Sequence, residues 1–314
     1  MAKVAGFYFN TSCSIAAVCE QRVLDKALEL CAAFDALLSK TAEGSDVWRI
    51  NHAQGEPTAV STHTARIVQA ALEVGRASDG AFNIALGSAV ALWSVTSSTP
   101  RVPAQSDIET ALALANLDGI ELCCGGDNTA NTVGATNTVR VPTGASLDLG
   151  GIAKGYISDQ IAAFLRAQGV RCALLNFGGN VVTVGTRPDG EPWHVGLSSP
   201  EGRQRDDLFA VVNSSDGCVV TSGAYERGFD ADGVRYHHIL DPRTGWPAKL
   251  ELSSVTLVGT NAMLADALAT ALFIMGRDEG IELASRLGFS VILLDTAGVV
   301  THTKGLPLTL ARTG

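Results

Sequence analysis

Between Asn261 and Met275 the sequence reads Asn-Ala-Met-Leu-Ala-Asp-Ala-Leu-Ala-Thr-Ala-Leu-Phe-Ile-Met, apolar at almost every position. A helix with no polar face must be covered by the rest of the chain, so the segment predicts a buried helix. Asp266 and Thr270 interrupt it, and their four-residue spacing puts a carboxylate and a hydroxyl on one face, one turn apart. Asn261 takes the expected N-cap, and Asp266 lies a turn too deep to be a cap itself. An ionised carboxylate among apolar neighbours is costly unless compensated, and the segment holds no Lys or Arg. On the residues alone two readings stay open: a bound cation, or an Asp turned to solvent with Thr270 bonding back to the carbonyl of residue 266.

The remaining composition narrows the function classes. The 314 residues are 46% hydrophobic, enough to bury a large core. No linker divides them cleanly, so a single domain over 1–314 is expected. The net charge of −9 comes without a basic stripe, which argues against nucleic-acid binding and implies that any phosphate handled needs a metal. The opening residues lack the apolar core and cleavage site of a signal peptide, and no apolar run approaches membrane-spanning length. A cytoplasmic protein with no membrane span is expected on that basis. Seven cysteines, with Cys123-Cys124 adjacent and no second pair at zinc-ligand spacing, read as seven thiols.

Periodicity predicts a strand pair at 4–9 and 13–19, then helices over Arg22–Leu38, His63–Ser78 and Ser106–Asn116. An exposed Gly/Asn/Thr-rich loop is expected at 125–138. Ser146–Gly169 runs from strand through a glycine pair into a helix, and short strands follow up to residue 240. After the apolar helix come a helix at 277–287 and a strand at 289–295. Strands in runs with helices between them favour α+β over a doubly wound parallel sheet.

Three further segments carry chemical groups. In Ser146-Leu-Asp-Leu-Gly-Gly-Ile-Ala-Lys-Gly-Tyr156 a turn gathers Asp148, Lys154 and backbone amides, though it matches neither a P-loop nor a dinucleotide fingerprint. Asn176-Phe-Gly-Gly-Asn180 is either a tight turn or a ligand contact. Tyr236-His-His-Ile-Leu-Asp-Pro-Arg-Thr-Gly-Trp-Pro247 ends a strand in a loop rich in functional groups. Alternation along that strand turns one of His237 and His238 inward and the other outward. Just upstream, Thr221-Ser-Gly-Ala-Tyr-Glu-Arg227 offers two hydroxyls at another turn.

In chain order, Asp148-Leu-Gly-Gly-Ile-Ala-Lys-Gly-Tyr156, Asn176-Phe-Gly-Gly-Asn180, Thr221-Ser-Gly-Ala-Tyr-Glu-Arg227, His238-Ile-Leu-Asp-Pro-Arg-Thr-Gly245 and Ala265-Asp-Ala-Leu-Ala-Thr270 resemble the ApbE family of FAD:protein FMN transferases. The likeness extends upstream through Leu38-Ser39, Ser45-Asp46, Asn51, Gly80-Ala-Phe-Asn83 and Leu92-Trp93, so it covers nearly the whole chain. The resemblance implies a T-fold-like α+β architecture with two related halves of antiparallel strands and helix pairs. It also implies a Mg²⁺-dependent reaction in which FAD is split, FMN is attached by a phosphoester to a Ser or Thr of an acceptor flavoprotein, and AMP leaves.

Carried over residue by residue, the resemblance makes the carbonyl of Gly151 and the side chains of Asp266 and Thr270 metal ligands. Hard oxygen donors of this kind suit Mg²⁺ or Ca²⁺. Ala81, Phe82, Asn83, Asp148, Lys154 and Leu240 correspond to FAD-contacting positions. His238 matches the histidine that assists the acceptor hydroxyl, a sensible base because its ordinary pKa lies near neutrality. The chain departs from the family at Asn83, where Asp is usual, and near Thr41, where an aromatic often packs on the flavin or adenine ring. Two alternatives accompany this reading: hydrolysis of FAD to FMN and AMP at the same metal, and a non-catalytic FAD-binding protein.

Overall fold

The computed structural model describes residues 1–125, 136–200, 207–249 and 251–310. From the start the chain runs β1 (Ala2–Tyr8), β2 (Thr11–Ala17), α1 (Gln21–Leu38), α2 (Asp46–His52), β3 (Thr58–Val60), α3 (Thr62–Ala77), α4 (Gly87–Trp93), α5 (Gln105–Ala113), β4 (Glu121–Cys123) and β5 (Asn137–Arg140). It continues with α6 (Ala153–Ala167), β6 (Ala173–Phe177), β7 (Asn180–Val184), β8 (Trp193–Ser198), β9 (Leu208–Ser214), β10 (Cys218–Gly223), β11 (Gly228–Ala231) and β12 (Val234–His237). Then follow β13 (Leu252–Gly259), α7 (Ala262–Met275), α8 (Arg277–Arg286), β14 (Ser290–Asp295), β15 (Val300–His302) and β16 (Leu308–Leu310). Every strand pair is antiparallel, which makes the fold α+β as the sequence predicts.

The chain divides into two compact units. The first comprises Met1–Phe34, Lys154–Tyr225 and Leu250–Gly314. Its main sheet has eight strands in the order β1-β2-β6-β7-β10-β13-β14-β15, with a second sheet β16-β9-β8. Two-residue turns set the register at one end. Phe9 and Asn10 adopt φ of 54° and 57° between β1 and β2, and Gly178 and Gly179 adopt 60° and 89° between β6 and β7. Positive φ at both central residues matches the right-handed twist of the strands they join. One sheet face meets the smaller sheet, with Val181, Val219 and Ile292 packed on Val195, Leu197, Ala210 and Val212. The other face carries α7, which touches β7, β10 and β13. Covered on both faces, β7 is buried at every position, and this explains its unbroken apolar character apart from Asn180 and Thr183.

The second unit comprises Asp35–Ala153 and Glu226–Lys249. It holds α2 to α5, the sheet β3-β5-β4 and the hairpin β11–β12. Leu86, Ala89, Trp93, Ile108, Ala111 and Leu240 form a core on which Phe229, Tyr236 and Trp246 pack.

Several boundaries differ from expectation. The first hairpin turns at Phe9-Asn10, so both of its strands begin two residues earlier than predicted. The third helix stops at Ala113, and residues 117–119 form a separate 3₁₀ turn capped by Asn116. The strand expected at 146–148 is reduced to a single parallel bridge between Leu86 and Ser146. Residues 126–135 of the loop expected at 125–138 lie outside the described residues. None of the seven cysteines is in a disulfide, in line with the seven thiols expected, and Cys123 and Cys124 are exposed. Among the described residues no helix is long and apolar enough to cross a membrane.

Candidate active site

In the first unit, α7 is capped as its sequence predicts, with Asn261 Oδ1 accepting the Leu264 N–H at 2.9 Å. Asp266 is 2% exposed, so the solvent-turned alternative does not hold. Its compensation comes from another helix. Lys154, at the start of α6, places Nζ 3.1 Å from Oδ1 and 3.4 Å from Oδ2. The Gly155 N–H donates to Oδ2 at 3.0 Å. The absence of a Cβ at Gly155 makes this approach feasible, because a Cβ there would lie 2.1 Å from the Ala262 carbonyl oxygen and 2.8 Å from Asp266 Cβ.

Thr270 Oγ1 lies 3.5 Å from the Asp266 carbonyl oxygen and 3.5 Å from Ser222 Oγ near the end of β10. The back-bond anticipated from the sequence is thus long, and it coexists with a buried Asp. Asp159 on α6, not singled out from the sequence, accepts the Ala262 and Met263 N–H groups at 3.1 and 2.9 Å. Burial pushes its carboxyl up to about 6 against those bonds and the Arg166 charge, and the Asp266 charge acts in the same direction as burial. Nothing local to α7 announces Asp159, since its partners are more than a hundred residues away along the chain. Asn176-Phe-Gly-Gly-Asn180 is the β6–β7 turn, with Asn176 Oδ1 accepting the Gly179 N–H at 3.1 Å. Asn180 is 1% exposed and its carboxamide has no hydrogen-bond partner among the described residues.

In the second unit, Asp148 is built into a turn. Its Oδ1 accepts the Gly150 N–H at 2.8 Å, its Oδ2 accepts from Lys40 Nζ at 2.6 Å, and its own N–H donates to the Ile84 carbonyl at 2.9 Å. Asn51 brackets the preceding residue, donating to the Leu147 carbonyl at 3.0 Å and accepting the Leu147 N–H at 2.7 Å. Gly151 follows in a turn closed by the Ile152 and Ala153 N–H groups on the Leu149 carbonyl, at 3.1 and 2.9 Å.

The segment from Ala81 to Asn83 is anchored by Ser78, whose carbonyl accepts the Ala81 N–H at 2.9 Å and whose Oγ accepts the Phe82 N–H at 3.1 Å. Phe82 is 4% exposed. Asn83 uses both ends of its amide: Oδ1 accepts the Ala85 N–H at 2.8 Å and Nδ2 donates to the Ala115 carbonyl at 2.9 Å. An aspartate here would have no hydrogen to give to Ala115, which accounts physically for the amide at this position.

The two histidines divide as alternation requires. His237, ending β12, is 1% exposed. Its Nδ1 accepts the Ile239 N–H at 3.2 Å, so Nε2 carries the proton and donates to the Ala248 carbonyl at 3.0 Å. Burial holds its pKa below the ordinary value, with the Arg235 charge adding to this and the Ala248 bond opposing it. His238 is half-buried. Its Nδ1 faces the Arg227 carbonyl at 3.2 Å, and an oxygen acceptor there requires the hydrogen on Nδ1, leaving the lone pair of the neutral ring on Nε2. Leu240 is 5% exposed within the core and bridges to Pro247.

A model of the ApbE family matches residues 9–293. The chain belongs to the ApbE family. The FAD:protein FMN transferase of Klebsiella pneumoniae is 38% identical over 262 residues, covering 83% of this chain and 78% of that one. That of Treponema pallidum is 35% identical over 298 residues, covering 88% and 81%. Among solved structures, the ApbE protein of Thermotoga maritima superposes with a TM-score of 0.85 at 31% identity, over 96% of this chain and 97% of that one. The flavin transferase ApbE of Vibrio cholerae gives 0.80 at 27% identity, over 96% of each chain.

In this ApbE family member the loop after His238 is firmly held. Asp241 pairs with Arg243 through contacts of 2.7–3.2 Å, and Trp93 Nε1 donates to the Gly245 carbonyl at 2.8 Å. The structure therefore gathers Lys154, Asp266 and Thr270 in one unit. In the other it ties Asp148 to Ile84, the residue after Asn83, and sets His238 and Leu240 on a single anchored segment. Among the described residues no group of three or more His, Cys, Asp or Glu side chains is placed to hold a metal ion.

Proposed function

We propose that this protein is a Mg²⁺-dependent FAD:protein FMN transferase, a single flavin transferase domain acting on a Ser or Thr of an acceptor flavoprotein. The observation that carries the reading is Asp266, a buried carboxylate one helical turn from Thr270 and beside Lys154, in a chain whose relatives bear that enzyme name. The fit of a metal rests on donor chemistry. The buried Asp266 carboxylate and the Thr270 hydroxyl are hard oxygens of the kind Mg²⁺ prefers, with carbonyl, water and phosphate oxygens expected to fill the remaining positions. Bound there, Mg²⁺ would polarise the pyrophosphate and offset its charge.

The chain's own residues do the positioning. Asp148, held by Lys40 and the Gly150 N–H, and the segment Ala81, Phe82 and Asn83 would contact FAD. Phe82 and Leu240 are so buried that their contacts would be made chiefly by backbone. Lys154 would supply a mobile positive charge to the phosphates. His238, with its Nδ1 hydrogen on the Arg227 carbonyl, presents Nε2 as the base for the acceptor hydroxyl. In the transfer, the acceptor oxygen bonds to the phosphorus of the FMN half and the pyrophosphate bond breaks. AMP departs with the bridging oxygen and its electron pair, and the hydroxyl proton passes to His238.

The test is to incubate the protein with FAD, Mg²⁺ and candidate acceptor proteins, following acceptor mass and nucleotide release together. One FMN-phosphoester adduct per AMP supports transfer. AMP and free FMN without an adduct on any acceptor would favour hydrolysis, and binding without AMP would favour a carrier.

A further inference from the structure

Lys154 and a divalent cation need the same atom. Oδ1 of Asp266 is held by the Lys154 ammonium at 3.1 Å, while Oδ2 already accepts the Gly155 N–H. A Mg²⁺ or Mn²⁺ ligated by Oδ1 at about 2.1 Å would lie close against the ammonium, and two cations sharing one buried oxygen repel strongly. The charge count points the same way. Asp266 and Lys154 cancel, and Asp159, which accepts the Ala262 and Met263 N–H groups, adds at most one negative charge nearby. A dication added there still leaves positive charge uncompensated beside a residue that is 2% exposed. A pyrophosphate brings the negative charge that is lacking.

We infer that Lys154 keeps the cation off Asp266 until a dinucleotide arrives, so that its pyrophosphate draws the ammonium away and opens the carboxylate to metal. Lys154 is suited to the exchange. Its side chain is 17% exposed, it sits at the start of α6, and four flexible methylenes let the ammonium swing while Gly155 retains its bond to Oδ2. Metal and dinucleotide binding are then coupled, each strengthening the other by the same factor. The inference rests on the proposed reading of Asp266 as a metal ligand.

The experiment measures Mn²⁺ binding by calorimetry, without nucleotide, to the full chain and to Lys154→Met, Lys154→Gln and Lys154→Arg, with circular dichroism to confirm folding. Lys154→Gln keeps a hydrogen-bond donor for Oδ1 without the charge, so it remains informative if the Met variant does not fold. Both neutral variants should bind Mn²⁺ about tenfold or more tightly than the unaltered protein, and the Arg variant should stay weak. Neutral variants that bind no more tightly, in a protein whose Mn²⁺ binding is abolished by Asp266→Asn, would overturn the inference and leave the metal site standing. Undiminished Mn²⁺ binding in the double variant Lys154→Gln/Asp266→Asn would instead remove the metal site itself, and the inference with it.

Discussion

Asp159 and Asp266 each place a carboxylate on the N-terminus of the helix that carries the other. Asp159 on α6 accepts the Ala262 and Met263 N–H groups of α7, and Asp266 on α7 accepts the Gly155 N–H of α6. Both meet unpaired N–H groups at the positive end of a helix dipole, an arrangement that fixes one helix against the other at two points.

The Asp159 half of this exchange depends on pH. Its carboxyl titrates at about 6 when folded, chiefly through burial, against about 3.9 for an unfolded Asp. The folded state therefore binds the proton more tightly, and stability from this group is greatest below pH about 4 and declines until pH about 6. Relative to Asp159→Asn, which does not titrate, the protein should lose roughly 1–3 kcal/mol across that window and nothing further above it. Denaturant unfolding of both proteins from pH 4 to 8 measures this. A constant difference would contradict it.

At Gly155 the constraint is steric. The atoms a Cβ would strike, the Ala262 carbonyl carbon at 2.6 Å and oxygen at 2.1 Å, are backbone and cannot rotate aside. Gly155→Ala should lower stability by about 2–4 kcal/mol, at or beyond the usual cost of overpacking, and should loosen the Lys154–Asp266 pair. Thermal unfolding reads the first effect, and a melting temperature equal to the parent's would show that the helices yield.

The sequence made α7 legible because an apolar run with an Asn cap is a local signal, and the structure begins and ends the helix where the pattern does. It also separated His237 from His238, since strand alternation is local as well. Partners distant in sequence were not legible. The segment around Asp266 holds no charge to offset it, and Lys154, which does, is 112 residues away. Short elements escaped for a related reason: α2 and α4 have seven residues each, too few for helical periodicity to emerge. The expected strand at 146–148 failed because Asn51 takes both backbone groups of Leu147, leaving only the Ser146 bridge.

His237 and His238 should fail differently. His237→Ala leaves the Ile239 N–H and the Ala248 carbonyl without their buried partner, costing about 1–3 kcal/mol of stability while FMN transfer in the folded fraction persists. His238→Ala should fold and bind FAD normally but transfer FMN roughly 10²–10⁴-fold more slowly. Single-turnover transfer and unfolding curves on both variants decide it, and normal transfer by His238→Ala would remove that residue from the chemistry.

Asn83→Asp should be destabilising at neutral pH, although it restores the residue usual in the family. The carboxylate keeps the Ala85 N–H but confronts the Ala115 carbonyl without a donor, at a cost of about 1–3 kcal/mol. The deficit should shrink below pH about 4, where protonation supplies a hydrogen. Unfolding midpoints at pH 7 and pH 3.5 test this, and a variant as stable as the parent at pH 7 would show that the Ala115 bond contributes nothing.

The central claim is that Asp266 holds the metal at which FAD is split. Its most direct test is the Mg²⁺ dependence of AMP release from FAD, in the presence of an acceptor, by the parent protein and a folded Asp266→Asn variant. The account predicts saturable Mg²⁺-dependent release by the parent and nearly none by the variant at any Mg²⁺ concentration. Equal Mg²⁺-dependent release by both would contradict it.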